Sequence, residues 1–184
     1  MLVSGCLSVA AMTKGKARYL TAGGLFVIFG AVIAIYSAQA PPAGGAQIGR
    51  PAPEFAVSGL SGSSLVLSDY RGRPVVINFF ASWCGPCWRE MPDLDDAADK
   101  YQARGLVVAG IGVQDSTEAI SRMVNHLGLT FPIGLDPSGK VAADQYRIRG
   151  LPVTVFVDRQ GVVRKIWTGP IDRESLERAI EAIL

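Results

Sequence analysis

The sequence predicts an α/β fold in which a central mixed β-sheet carries helices on both faces. Three observations predict it. Two apolar runs, residues 75–81 (VVINFFA) and 106–113 (LVVAGIGV), are nearly continuous, as strands buried on both faces are. Segments with helical start and stop signals alternate with the apolar runs. The chain then ends on a hairpin pattern followed by one more helix, which completes a covered sheet.

The elements follow in order. Residues 64–67 (SLVL) read as a short strand, and Arg71-Gly72-Arg73-Pro74 as the turn before the first long strand, 75–81. A helix is expected to open just after Cys84 and to run to about Arg104, with Pro92 kinking it. The second buried strand covers 106–113. Ser116 is a candidate N-cap for a helix over 116–127, and Gly128 a candidate stop. Residues 133–135 read as a short strand and 140–146 as a short helix. Two strands, 153–157 and 162–167, are joined by Asp158-Arg159-Gln160-Gly161, a hairpin turn. Asp172 caps a last helix expected to end at Leu184.

Ahead of this domain lies a segment of another kind. Residues 19–38 (YLTAGGLFVIFGAVIAIYSA) contain no charge, and twenty helical residues span about 30 Å, the thickness of a bilayer's hydrocarbon core. Tyr19 and Tyr36 sit near its ends, where amphipathic rings favour the interface. Lys14, Lys16 and Arg18 precede it, which predicts a cytoplasmic N-terminus over 1–18 and export of everything after the segment. A cleaved signal peptide is the competing reading, since Ala38-Gln39-Ala40 has the small-residue pattern of a cleavage site. The length of the apolar stretch and Pro41 just after that site favour a retained anchor. Met12 would serve as an alternative start with a normal basic region behind it, leaving Cys6 untranslated. Residues 39–46, with Pro41-Pro42-Ala43-Gly44-Gly45-Ala46, have linker composition, and the folded domain is placed at 47–184.

Composition narrows the function. Of 184 residues, 49% are hydrophobic and 18% charged, a globular balance raised by the apolar segment. Three of the 18 basic side chains precede that segment and 16 side chains are acidic, so the exported part is near neutral and shows no basic surface for nucleic acid. Three cysteines are too few for a disulfide scaffold. One C-x-x-C and one histidine do not make the four ligands of structural zinc, so no metal is expected.

The chemistry is expected in Phe80-Ala81-Ser82-Trp83-Cys84-Gly85-Pro86-Cys87, which follows a buried strand and opens a helix. Cys84 then sits where unpaired backbone N–H groups and the positive end of the helix dipole converge, and both stabilise a thiolate. A free thiol with a pKa near 8.5 is about 3% thiolate at pH 7, whereas a pKa near 7 makes it about half. Cys84, the more exposed of the two, is expected to attack a substrate disulfide and Cys87 to resolve the mixed disulfide. Gly85 and Pro86 hold the loop so that the sulfurs stay in reach. Two buried, inert cysteines would be the alternative, and the strand–C-x-x-C–helix context argues against it.

This run resembles the active site of thioredoxins, and more closely that of the ResA/TlpA/CcmG branch of membrane-tethered thioredoxin-like proteins of the AhpC-TSA/redoxin type. The resemblance covers 47–184. Gly49-Arg50-Pro51-Ala52-Pro53-Glu54-Phe55, the lead from Leu67 to Val75, and Gly150-Leu151-Pro152-Val153-Thr154 each look like a motif of that branch. It implies a thioredoxin fold with the branch's N-terminal extension and an insertion within 106–146. It implies that Pro152 is cis and packs against the dithiol, and that the backbone of Leu151 pairs with substrate. Trp83 would line a shallow apolar docking surface. Glu90 matches an acidic residue that tunes the cysteines, although a solvated helix carboxylate is an equal alternative. Asn78 stands where thioredoxin has an acid, so a carboxylate role has to come from elsewhere. Phe80 replaces a tryptophan common in the branch. His126 is expected away from the motif.

The resemblance further implies an extracytoplasmic reductase of protein disulfides, apocytochrome c among them, fed by a membrane thiol–disulfide donor. It is expected to work as a monomer without a cofactor. A disulfide oxidase or isomerase, a thiol peroxidase and a non-enzymatic binding module remain as alternatives. The peroxidase is disfavoured because Ala81 stands where peroxide reduction uses threonine.

Overall fold

A computed structural model describes residues 44–184, which lie within one compact unit. The expected anchor over 19–38, its basic flank, Cys6 and Met12 lie outside the described residues. Among the described residues no helix is long and apolar enough to cross a membrane.

Seven strands form one mixed sheet: β1 (Ala56–Gly59), β2 (Ser64–Val66), β3 (Val75–Phe80), β4 (Val107–Val113), β5 (Ile133–Asp136), β6 (Val153–Val157) and β7 (Val163–Thr168). Their order is β2-β1-β5-β4-β3-β6-β7. β3, β4 and β5 run parallel, while β6 lies antiparallel to β3, and β1 antiparallel to β5. The unbroken apolar runs become β3 and β4, whose residues are all buried, as sheet centres require.

Three α-helices, α1 (Gly85–Tyr101), α2 (Thr117–Leu127) and α3 (Arg173–Glu181), contribute to the larger of two apolar clusters. Met91 and Leu94 of α1, Ile120 and Met123 of α2, and Leu176 and Ile180 of α3 meet Val76, Phe80, Val108 and Phe156 of the sheet there. The opposite face is covered more thinly. Phe55, Leu67 and a one-turn helix at Val141–Gln145 pack on Ile77, Phe79, Ile111 and Val155. Gly45 is buried and Ala46 packs at the edge of this second cluster, so the described end of the linker lies against the domain.

Several boundaries differ from expectation. Leu67 leaves the strand to begin a 3₁₀ turn, Leu67–Tyr70, because it turns inward to the second cluster. β1 carries no strand signal in its sequence. α1 continues through Pro92 and ends at Tyr101, after which Gln102–Arg104 tighten into a 3₁₀ turn closed by Gly105 at φ 86°. The short helix expected at 140–146 is a π turn, and α3 stops at Glu181 rather than Leu184.

The caps of α2 agree with expectation. Ser116 Oγ accepts from Ala119 N–H at 3.1 Å, and Gly128 adopts φ 66°. Ser116→Ala is expected to cost about 1 kcal/mol. In thermal unfolding that lowers the midpoint by about 3–5 °C. An unchanged midpoint would deny the cap its role.

Candidate active site

The site lies where β3 ends and α1 begins. Cys84 has an extended backbone and caps α1, with its Sγ 3.3 Å from the N–H of Cys87. The helix start thus points its first free N–H groups at Cys84, and Pro86 occupies the first turn, where its missing N–H costs nothing. Cys84 and Cys87 form a disulfide with Cα atoms 5.3 Å apart. Cys84 is 5% exposed and Cys87 fully buried.

The loop ahead of the disulfide is pinned on two sides. Ser82 N–H donates to Asp115 Oδ2 at 2.7 Å, and Ser82 O accepts from Trp88 Nε1 at 2.7 Å. The other Asp115 oxygen accepts from Ser116 N–H, so one carboxylate joins the cysteine loop to the start of α2. Trp83 projects outward, 63% exposed. The Leu151–Pro152 peptide is cis. Val153 pairs with Phe79 next to the end of β3, so this proline loop lies beside the cysteine loop. Trp83, Leu151, Arg149 and Ile148 border a shallow cavity of about 120 Å³, floored by Val113 and Ala142. Trp83 and Leu151 thus line one hollow, with an arginine on its rim.

Glu90 does not face solvent. Three residues after Cys87 and on the same side of α1, it is 2% exposed. Asn78 Nδ2 donates to its Oε1 at 2.8 Å and Ile171 N–H to its Oε2 at 2.9 Å. Burial pushes its pKa above the ordinary value near 4.5, and the Ile171 and Asn78 hydrogen bonds oppose the rise. Its burial removes the solvated helix carboxylate from the two readings of Glu90. Asn78 also donates through the same Nδ2 to Thr154 Oγ1 at 3.0 Å, its neighbour across β3 and β6.

Thr154, Ile171, Asp115 and Trp88 are site residues the sequence did not single out. Only Thr154 carried a signal, its place two residues after Pro152. The loop containing Ile171 also reaches the proline, since Gly169 N–H donates to Pro152 O at 2.9 Å. His126, expected away from the motif, sets its ring edge-on to Trp88 with centroids 5.7 Å apart, one contact removed from the cysteine loop. Among the described residues no group of three or more His, Cys, Asp or Glu side chains is placed to hold a metal ion.

A disulfide at a helix N-terminus, a cis-proline loop beside it and a mixed sheet together define a thioredoxin-fold thiol–disulfide oxidoreductase. Residues 48–166 match the AhpC/TSA family model. The chain belongs to the AhpC/TSA family. It is 36% identical over 136 residues to the thiol-disulfide oxidoreductase ResA of Geobacillus kaustophilus, spanning 74% of this chain and 78% of that one. To ResA of Bacillus anthracis it is 33% identical over 137 residues, 74% of this chain and 79% of that one. Among solved structures it resembles a DsbF homologue from Corynebacterium diphtheriae, with a TM-score of 0.67 and 29% identity over 72% of this chain and 85% of the other. A thiol:disulfide interchange protein of Chlorobium tepidum gives a TM-score of 0.65 at 25% identity, over 72% of this chain and 94% of that one. The chain is a member of the ResA/CcmG-like group within the family, and its substrates are proteins that contain disulfides.

Proposed function

We propose that the protein is a reductase of protein disulfides on the outer side of the cytoplasmic membrane, tethered by residues 19–38 and recharged by a membrane thiol–disulfide donor. Residues 1–18 stay in the cytoplasm, 39–46 link the tether to the domain, and 47–184 act as a single copy. Apocytochrome c, which must be reduced before haem attachment, is a fitting substrate. In the working cycle the Cys84 thiolate attacks one sulfur of the substrate disulfide, and the other substrate sulfur leaves as a thiolate and is protonated. Cys87 passes its proton to Glu90 and attacks the Cys84 sulfur. The second substrate thiolate leaves and takes up a proton. Two electrons move from the dithiol to the substrate, leaving the Cys84–Cys87 disulfide. Gly85 and Pro86 keep the two sulfurs within reach, while Trp83, Leu151 and Pro152 hold the incoming peptide.

The observation that carries the reducing direction is Glu90 buried one turn below the cysteines. A strong oxidant is one whose reduced form is unusually stabilised. Here the helix terminus favours a thiolate, but a buried carboxylate beneath it opposes a second negative charge. No basic side chain is hydrogen-bonded to either sulfur among the described residues. The Gly85-Pro86 dipeptide, shared with reducing thioredoxins, points the same way. The midpoint potential of the full chain, equilibrated against glutathione or dithiothreitol, is expected below about −200 mV. A potential near −120 mV would replace the reductase by an oxidase.

A further inference from the structure

The amide of Asn78 is unevenly satisfied. Its Nδ2 donates twice, to Glu90 Oε1 and Thr154 Oγ1. Its Oδ1 is buried and accepts from no group among the described residues. Both Glu90 oxygens are accepting hydrogen bonds, which is the pattern of an ionised carboxylate. Once Glu90 carries a proton, its O–H needs an acceptor. The Asn78 nitrogen cannot be one, and neither can Ile171 N–H.

We propose that Asn78 and Thr154 form a reversible cradle for Glu90. With Glu90 ionised, the Asn78 amide donates to it. With Glu90 protonated, the amide turns over about its Cβ–Cγ bond, and Oδ1 accepts from the Glu90 carboxyl. Thr154 follows the reversal without moving, because a hydroxyl rotor both donates and accepts. It accepts from Nδ2 in the first state and donates to Oδ1 in the second. One amide atom is left without a partner in either state, so both orientations carry a penalty of that kind. Ile171 N–H keeps its bond to Oε2 throughout. Asn78 and Thr154 are thus positioning residues, which keep the carboxyl in one place while it takes and returns a proton. An acid at position 78 could not do this, since it would place two carboxyls within hydrogen-bond distance.

The surroundings isolate the pair. β3 and β6 carry no titratable residue. On α1 the titratable residues within three positions of Glu90 are Cys87, exposed Arg89 and Asp93, the last paired with Arg173 of α3. In the loop before α3 the titratable residue is Asp172, which accepts from Ser175 N–H. The inference rests on the proposed proton transfer between Cys87 and Glu90 for its purpose and for its rate measurement, but not for its resonance test.

The test is nuclear magnetic resonance of the full chain in mild detergent, with labelled asparagine and glutamate side chains. At pH values where Glu90 is ionised, the Asn78 side-chain NH₂ is expected to show cross-relaxation to the Thr154 methyl group. That signal is expected to fade as Glu90 takes up its proton, with the midpoint shown by the Glu90 carboxyl carbon. In Glu90→Gln, whose own NH₂ demands an acceptor, it is expected to be absent at every pH. A signal unchanged through the Glu90 titration, or present in Glu90→Gln, overturns the reversal whichever way the enzyme moves electrons. In single-turnover resolution, Thr154→Val is expected to be about fivefold slower, with substrate KM unchanged, and Thr154→Ser to restore the rate. Equal rates for valine and parent, with an unchanged midpoint for the Glu90 carboxyl carbon in Thr154→Val, remove Thr154 from the cradle. A midpoint potential in the oxidising range defeats the reductase reading alone and leaves the cradle standing.

Discussion

With Cys84→Ser in the full chain, insulin is expected to be reduced no faster than by the dithiothreitol supplied as electron donor. The reason is in the ionisation of the side chain. The start of α1 offers Cys84 a helix terminus and the Cys87 N–H, which draw a thiol into the thiolate form. The same environment cannot ionise a serine hydroxyl at neutral pH, and an alcohol does not displace sulfur from a disulfide. Cys87→Ser is expected to behave differently. It keeps the nucleophile and loses the thiol that releases it, so a mixed disulfide on Cys84 accumulates. Intact-mass measurement then reads the trapped partner's mass, which names the substrate. The assignment of roles follows from access, since Cys84 is slightly exposed and Cys87 is not. Trapping by Cys84→Ser instead of Cys87→Ser would invert it.

How far the fold can be read in advance depends on where each residue's energy comes from. β3 and β4 are legible because every residue is buried, and only an unbroken apolar run satisfies that. α2 is legible because Ser116 and Gly128 are local signals acting within one turn. β1 is not. Its residues Ala-Val-Ser-Gly alternate between exposed and half-buried, and its place comes from antiparallel partners on β2 and β5. The π turn at Val141–Gln145 likewise depends on Tyr146, whose hydroxyl reaches Pro53 O and whose ring packs on Phe79. Such long-range pairings leave no local pattern.

The candidate site divides along the same line. Cys84, Cys87 and Pro152 were visible because each has a local motif, and the structure places the proline loop beside the cysteine loop. The burial of Glu90 was not visible. Its partners are Asn78, twelve residues back, and Ile171, 81 residues on, and only sheet order and the docking of the β7–α3 loop bring them together. Thr154 meets Asn78 across 76 residues because β6 pairs antiparallel to β3 in one register. The sequence thus shows which atoms exchange electrons, while the proton side of the site is a product of the tertiary structure.

Glu90→Gln tests that proton side, and its two expected effects have opposite signs. A carboxyl whose pKa is raised by folding binds its proton more tightly in the native state than in the unfolded one. Its favourable contribution is complete below the unfolded value near 4.5 and is lost as pH rises through the higher native value. Above that value a buried carboxylate opposes folding. Glutamine keeps the shape without the charge. Urea unfolding of the oxidised protein should therefore show the variant gaining on the parent as pH rises from about 4.5, with the gain levelling off above the native value. Resolution of the mixed disulfide should slow, because Cys87 loses its proton acceptor. General base catalysis is worth about 10² or more in rate, so a loss on the order of 10²-fold is expected, together with loss of the pH dependence that Glu90 imposes. A variant weakened equally at every pH and undiminished in rate would mean that Glu90 acts only through its hydrogen bonds to Asn78 and Ile171, as packing beneath the cysteines.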